Sequence, residues 1–300
     1  DGAGNFTEAT FSGTVSDEEP PQINPPDDIA VSTDPGSATA VVSYSATATD
    51  NSGLTPTISY EPPSGTAFPI GVTTVTVTAM TDDSDNGSST DTFTVTVTDD
   101  EAPVIVAPAN IVVVAPTGQD GANVSFVIPT PMDNSGGAVT VVPTHASGSF
   151  FPVGVTTVTI TATDPSQNSV AASFTVTVND AEGPVISNMP ADITVNTDVG
   201  QNFATVSWTA PTATDNVPGV VLTSTHAPGA QFPLGTTNVT YTATDANSNV
   251  ATASFVVTVT DDEAPVIVGL PSDITADTDA GQDFATVSWT APTATDNAPG

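Results

Sequence analysis

The chain has 300 residues, of which 34 are acidic and none is Lys, Arg or Cys, so its formal net charge is −34. An ordinary chain is about a quarter charged, so roughly 35 basic residues are missing while the acids stand near ordinary abundance. Nucleic acid and anionic membrane surfaces are excluded as partners, because both need Lys or Arg to neutralise phosphate, and disulfide or thiolate chemistry is excluded with them.

Carboxylates in such a chain are offset only by backbone N–H groups, dissolved cations or bound metal. The longest apolar stretch, Ala102 to Pro116, is interrupted by Pro103, Pro108 and Asn110 and is too short to insert in a membrane. No basic segment precedes an apolar run, so no signal peptide is visible, which says nothing about secretion. Hydrophobic residues make up 38%, enough for small cores and against disorder.

Along the chain one frame returns about every 81 residues. Ala102-Pro103-Val104-Ile105 recurs as Gly183-Pro184-Val185-Ile186 and Ala264-Pro265-Val266-Ile267. The phrase FPxGxTxVT starts at Phe68, Phe151 and Phe232, and an Asp-Asn pair starts at Asp50, Asp133, Asp215 and Asp296. Residues 1–17 read as the last strand of a preceding copy, since Phe11, Val15 and Asp17 align with Phe255, Val259 and Asp261. Full copies are then expected over 18–99, 100–180 and 181–261, with 262–300 the first half of a fourth. ATVSWTAPTATDN appears at both 204–216 and 285–297, and the chain reads as a window onto a longer array.

Within a copy, alternating runs are separated by Pro, Gly, Asn and Asp. Val75, Val77 and Ala79 share one face of a run, as do Phe93, Val95 and Val97 in the next. The third copy repeats this with Val239, Tyr241 and Ala243, then Phe255, Val257 and Val259. Period-two alternation in β-branched residues predicts half-buried antiparallel strands, and several short strands per copy predict an all-β, Greek-key β-sandwich. A strand of about ten residues, from Val72 to Thr81, sets a rise of roughly 33 Å and an advance of roughly 35–40 Å per copy in an extended rod. Tyr44, Phe126 and Trp208 occupy similar places, a substitution pattern that suits core filling better than stacking on sugar.

The run PADITVNT, ATVSWTAPTATDN, FPLGTTNVTYTATDANSN, VATASFVVTVTD in the third copy closely resembles the HYR (hyalin repeat) family. That resemblance covers nearly the whole chain and implies a tandem Ig-like extracellular module, with adhesion or matrix structure as its role and no catalysis. Members commonly carry a cysteine pair; the matching positions in the second copy are Ala107 and Ala172, which cannot bridge. The Ig-like fold further implies that the entry linker, the B–C loop and the F–G loop lie at one end.

The sharpest chemical expectation is a Ca²⁺ site at each junction. Linker acids are Asp17-Glu18-Glu19, Asp99-Asp100-Glu101, Asp180 with Glu182, and Asp261-Asp262-Glu263. Each set is expected near a B–C acid (Asp50, Asp133, Asp215 or Asp296) and an F–G acid (Asp82, Asp164 or Asp245). Ca²⁺ takes six to eight oxygens from carboxylates, carbonyls and water. The same acids read equally as a solvated linker that keeps an array soluble. Without Lys or Arg, however, carboxylates held close together and poorly solvated repel strongly.

Other signals are weaker. Thr74, Thr76 and Thr78 are expected beside Thr94, Thr96 and Thr98, an outward face for ice or O-glycans, or simply solvent-facing strand residues. Asn5, Asn86, Asn123 and Asn238 begin N-x-S/T sequons. His145 and His226 stand alone in matching Thr-His-Ala phrases and lack the companions a zinc site needs. No Ser-His-Asp set or phosphate-cradling glycine loop occurs. The expected function is therefore a structural segment of a long extracellular or cell-surface fibre or adhesion protein. Its partners are neighbouring repeats, self-association, or a matrix protein or glycan. A stalk for a receptor- or glycan-binding adhesin and a spacer in a secreted hydrolase are the alternatives, as is end-to-end strand donation between chains.

Overall fold

The computed structural model describes residues 2–15, 17–82 and 87–298, and contains strands and no helix among them. The chain divides into two compact units, one of residues 1–110, 125–147 and 157–175, the other of residues 111–124, 148–156 and 176–300.

In the first unit the first copy forms β1 (Gln22–Asn24), β2 (Ile29–Ser32), β3 (Thr39–Val42), β4 (Thr47–Thr49), β5 (Thr57–Glu61), β6 (Thr66–Pro69), β7 (Gly71–Met80) and β8 (Ser88–Thr98). One sheet has the order β2-β8-β7-β5; β1 pairs with β4 and β3 with β6. The β7–β8 pair is antiparallel, whereas β2 runs parallel to β8 with Ile29 opposite Val95. Alternation decides the faces: Val75, Val77, Ala79, Phe93, Val95 and Val97 are all buried, as the period-two pattern requires. Ala40, Val42 and Phe68 close over them from β3 and β6. Burying each large apolar side chain contributes about 1.5–3 kcal/mol, which is how a module of this size stays folded without a disulfide.

The FPxG phrase has a backbone cause. After β6 the chain turns straight into β7, and the glycine there has φ of 113° in the first copy, with 117° and 102° at Gly154 and Gly235. Side chains avoid that region, so glycine is needed.

The middle copy contributes β9 (Ile111–Val114), β10 (Gly121–Asn123), β11 (Thr140–Pro143), β12 (Phe150–Pro152), β13 (Gly154–Thr163) and β14 (Ser169–Asn179), with residues in both units. In the first unit β11 pairs with residues 160–163 of β13, and Val104 bridges Met132. In the second, β9 runs parallel to residues 176–179 of β14 and β10 pairs with β12.

The third copy lies wholly in the second unit: β15 (Val185–Ser187), β16 (Ile193–Asn196), β17 (Phe203–Val206), β18 (Thr212–Thr214), β19 (Val221–Ser224), β20 (Ala230–Pro233), β21 (Gly235–Thr244) and β22 (Val250–Thr260). Its sheet order β16-β22-β21-β19, with β15-β18 and β17-β20 pairs, is that of the first copy. These are all-β, Ig-like sandwiches in tandem, as the pattern predicts.

The large aromatics fill cores. Tyr44, Phe126 and Trp208 meet Phe93, Phe174 and Phe255 edge-on, at centroid distances of 4.9, 5.0 and 5.2 Å. Trp208 also donates its indole N–H to the Tyr241 hydroxyl at 2.8 Å. The threonine faces differ from expectation in register: Thr74 opposes Thr94, but Thr76 opposes Thr92 and Thr78 opposes Thr90. An antiparallel ladder runs the second strand backwards, so increasing numbers on one strand meet decreasing numbers on the other.

At the ends the pairing thins. Residues 2–15 form no strand, and Phe11 and Val15 are 97% and 98% exposed. Alternation alone cannot make them a strand without a sheet to join. Residues 262–298 hold β23 (Val266–Val268) paired with β24 (Thr293–Thr295), with Trp289 exposed.

Candidate metal centre at the repeat junctions

Three segments build each site. The last strand of a copy ends and the next residue, Asp99 after β8 or Asp180 after β14, turns inward and is buried. The B–C loop supplies Asp133 or Asp215, each closing its own turn: Asp133 Oδ2 accepts from the Ser135 N–H at 3.0 Å and from the Ser135 hydroxyl, and Asp215 Oδ2 from the Val217 N–H at 3.0 Å. The F–G turn supplies Asp164 or Asp245, both buried. Its sequence Asp164-Pro165-Ser166-Gln167-Asn168 reverses through a left-handed Gln167 (φ 74°), and Ser248 (φ 72°) does the same in the second turn.

The structure brings Asp99, Asp133 and Asp164 together so that one carboxylate oxygen from each lies within 4.8 Å of the others, and Asp180, Asp215 and Asp245 do likewise. Asp99 Oδ2, Asp133 Oδ1, Asp180 Oδ2 and Asp215 Oδ1 are buried and accept no hydrogen bond. The remaining oxygens are engaged. Asp99 Oδ1 accepts from the Glu101 N–H at 3.2 Å, and Asp180 Oδ1 from the Glu182 N–H at 3.1 Å. Asp164 accepts the Asn168 N–H at 2.8 Å and its carboxamide at 2.9 Å; Asp245 accepts the Asn249 N–H and carboxamide, both at 2.8 Å.

Three like charges this close, with no Lys or Arg in the chain, repel on the order of a few kcal/mol per pair where solvent is partly excluded. A buried acceptor without a donor adds its own desolvation cost. Water donors, a proton or a hard cation each relieve this. Three carboxylates are donors for a hard, oxygen-seeking cation, and neither group includes a sulfur or imidazole ligand.

Burial pushes the Asp245 carboxyl upward, but the Asn249 carboxamide and the N–H groups of Asn249, Asn247 and Ser248 outweigh it, and the net shift is downward. Asp50 is also held low, by the Ser52 hydroxyl and N–H, against burial and with a smaller contribution from Asp17. Both therefore stay ionised at neutral pH.

Not every expected acid joins a cluster. Glu101 turns back to the preceding copy and accepts from the Gly36 N–H at 2.9 Å; Glu182 and Glu263 accept from Gly118 and Gly200 at 2.6 and 2.8 Å. Asp100 and Asp262 accept from Ser32 and Asn196 on neighbouring strand ends. Asp261 accepts from Asn297, and Asp296 closes its turn on Ala298, with no third acid beside them among the described residues. At the first junction Asp17 Oδ2 and Asp50 Oδ2 are buried without donors, while Asp82 is exposed and Asn51 reaches Glu19 at 3.1 Å. Of the sequon asparagines, Asn5, Asn123 and Asn238 are exposed and Asn86 lies outside the described residues. His226 packs against Phe232 at 5.1 Å.

The asparagines are what sequence reasoning missed. Asn168 and Asn249 stand four residues after the F–G acid, and Asn134, Asn216 and Asn297 directly follow the B–C acid. Both spacings are visible in the repeat, the second as the recurring Asp-Asn pair, but neither asparagine carries charge and so neither stood out.

With that geometry, the HYR domain profile matches residues 16–97, 98–178 and 179–259. The chain belongs to the HYR domain family. It is 35% identical over 306 aligned residues to hyalin of Lytechinus variegatus, covering 99% of this chain and 58% of that protein. Against hyalin of Strongylocentrotus purpuratus it is 38% identical over 256 residues, 83% of this chain and 21% of the relative. A Rattus norvegicus protein, "Sushi, von Willebrand factor type A, EGF and pentraxin domain-containing protein 1", is 40% identical over 156 residues, 50% of this chain and 4% of its own length. The chain thus spans little over half of the first relative and about a fifth of the second. Among solved structures, the protocadherin GammaB4 extracellular domain aligns with a TM-score of 0.34 at 15% identity, covering 83% of this chain and 51% of that one. As a HYR-domain chain it is an extracellular or cell-surface repeat protein of the adhesion type.

Proposed function

We propose that this HYR-domain chain is a non-catalytic, load-bearing segment of an extracellular fibre or adhesion protein, with Ca²⁺ bracing the junctions between successive copies. The observation that carries the reading is the pair of buried, donorless carboxylate oxygens on two of the three acids of each complete triad. Asp99, Asp133 and Asp164 would hold one ion, and Asp180, Asp215 and Asp245 the next, with carbonyls and water completing the shell. The ion supplies positive charge where the sequence has none and ties the end of one copy to two loops of the following one. Self-association or contact with matrix protein or glycan would be the role of the exposed faces.

The test is calcium titration by calorimetry on the 300-residue chain, with thermal unfolding in millimolar Ca²⁺ and in chelator. Binding to the native state at 100 times Kd contributes about 2.7 kcal/mol per site, so a rise of several degrees is expected. No heat of binding together with unchanged melting would sink the calcium reading and leave a solvated acidic array.

A further inference from the structure

We propose that Asn134 and Asn216 couple cation occupancy of a junction to the docking of a copy on its predecessor, an inference that rests on the calcium reading above. The docking surface is one turn of the preceding copy. In 34–37, 116–119 and 198–201 the turn closes by N–H to carbonyl bonds of 2.9, 3.0 and 2.8 Å, Ser37 to Asp34, Gln119 to Pro116 and Gln201 to Asp198. Its glycine is left-handed each time, at φ 70°, 73° and 68° for Gly36, Gly118 and Gly200.

Two groups from the junction seize that turn. The linker Glu takes the glycine N–H, and the carboxamide after the B–C acid donates to the next carbonyl: Asn134 to Ser37 at 2.9 Å, Asn216 to Gln119 at 2.7 Å and Asn297 to Gln201 at 2.8 Å. The turn side chains differ between copies, Asp34-Pro35, Pro116-Thr117 and Asp198-Val199, yet the shared grip is the same because it uses main-chain groups. Asn134 and Asn297 add the hydroxyls of Thr33 and Thr197 at 3.4 and 3.2 Å, where the second copy has Ala115.

The same carboxamides also reach the linker acid. Asn134 Nδ2 lies 3.4 Å from Asp99 Oδ1, and Asn216 Nδ2 lies 3.5 Å from Asp180 Oδ1. Each linker carboxylate is therefore divided: Oδ1 lies beside the Asn that grips the preceding copy, and Oδ2 is buried without a donor. A cation on Oδ2 fixes the carboxylate plane and with it the acceptor that steadies the Asn. With the cation removed, repulsion among the three acids rotates Asp99 or Asp180 away and the grip loosens. Asn134 and Asn216 are positioning residues, not ligands.

The experiment is amide exchange of residues 33–37 and 115–119 in the full chain, with Ca²⁺ and with chelator, for the wild type, Asn134→Ala and Asn216→Ala. In the wild type both turns gain protection with Ca²⁺, by at least about fivefold, the lower end of ordinary coupling between sites. Asn134→Ala leaves 33–37 poorly protected whether or not Ca²⁺ is present, while 115–119 still responds; Asn216→Ala reverses the two. Each variant carries the other junction as its folding control, and calorimetry shows two bound ions still. Calcium binding in the wild type without any change at either turn overturns the coupling alone, as does a calcium response that survives in the variants. A wild type that binds no calcium overturns the site reading beneath it.

Discussion

Asn168 Nδ2 lies 3.1 Å from the main-chain carbonyl oxygen of Asp99, a residue 69 positions earlier, while its other hydrogen reaches Asp164 Oδ2. One carboxamide thus ties the end of β8 to the F–G turn that supplies the third carboxylate. Asn249 repeats the arrangement with the Asp180 carbonyl at 3.3 Å and Asp245 Oδ2 at 2.8 Å. Groups that orient ligands without touching the metal typically change affinity by about 10–100-fold when removed. Asn168→Ala is therefore expected to weaken one of two calcium sites by that factor and leave the other unchanged. Calorimetric titration separates the two; equal affinity at both sites in the variant would refute the orienting role.

Replacing one acid should change stability in opposite directions depending on the cation. Asp133→Asn removes a charge from a triad whose Asp133 Oδ1 has no donor. In chelator the repulsion falls and melting rises by a few degrees, the size of a change near 1 kcal/mol. In millimolar Ca²⁺ the variant loses a ligand, binds at least about tenfold more weakly, and melts below the wild type, because affinity follows the charge count of the ligands. Paired melting curves check both signs; a decrease in both solutions would mean that Asp133 acts through its turn rather than through charge.

How much of this was written in the sequence depends on the length scale. The sandwich was legible because its decisive residues alternate locally: Val75, Val77 and Ala79 announce one buried face and Phe93, Val95 and Val97 the next. The triads were legible because an Ig-like end brings known loops together, and Asp99, Asp133 and Asp164 were the acids at those positions. What stayed hidden were partners chosen by main-chain geometry. Nothing in the identity of Glu101 says that it reaches Gly36 rather than the triad. The threonine partners were likewise set by the main chain: the antiparallel ladder runs the second strand backwards, so Thr76 meets Thr92 and Thr78 meets Thr90.

The aromatic pair at the centre of each sandwich sets its stability. Phe93, Phe174 and Phe255 are almost fully buried and each meets one aromatic edge-on at about 5 Å. Substituting any of them by Ala is expected to cost about 3–5 kcal/mol, enough to unfold a small module. Calorimetry should then show one transition lost or moved well down. A uniform small shift of every transition would contradict separate cores.

Gly154→Ala tests the FPxG turn. At φ 117° the added methyl meets no atom within 4 Å, so backbone strain, not crowding, is the penalty. A loss of more than about 1 kcal/mol is expected in denaturant unfolding, since alanine cannot relax there without moving the start of β13. A neutral result would show that the turn tolerates another backbone path.

Acid should loosen the second triad in a defined window. Burial favours the neutral form of Asp245, but donation from the Asn249 carboxamide and from the N–H groups of Asn249, Asn247 and Ser248 prevails and lowers its folded value. A carboxyl lowered in the folded state contributes stability that is fully present above the ordinary carboxylate range near 4 and is lost as pH falls through the lower, folded value. Asp50, held low by Ser52, and Asp28, held low by the Thr94 N–H at 2.7 Å, act in the same direction. Melting temperature in chelator should therefore be flat from pH 7 to about 5 and decline below. Ca²⁺ adds its increment over the flat range and loses it over the decline, since protons and cation compete for the same oxygens. Asn249→Ala removes the largest group holding Asp245 low, so its decline should begin at higher pH than in the wild type. An unchanged onset in Asn249→Ala, or a calcium increment that persists at pH 3, would show that Asp245 does not govern this junction.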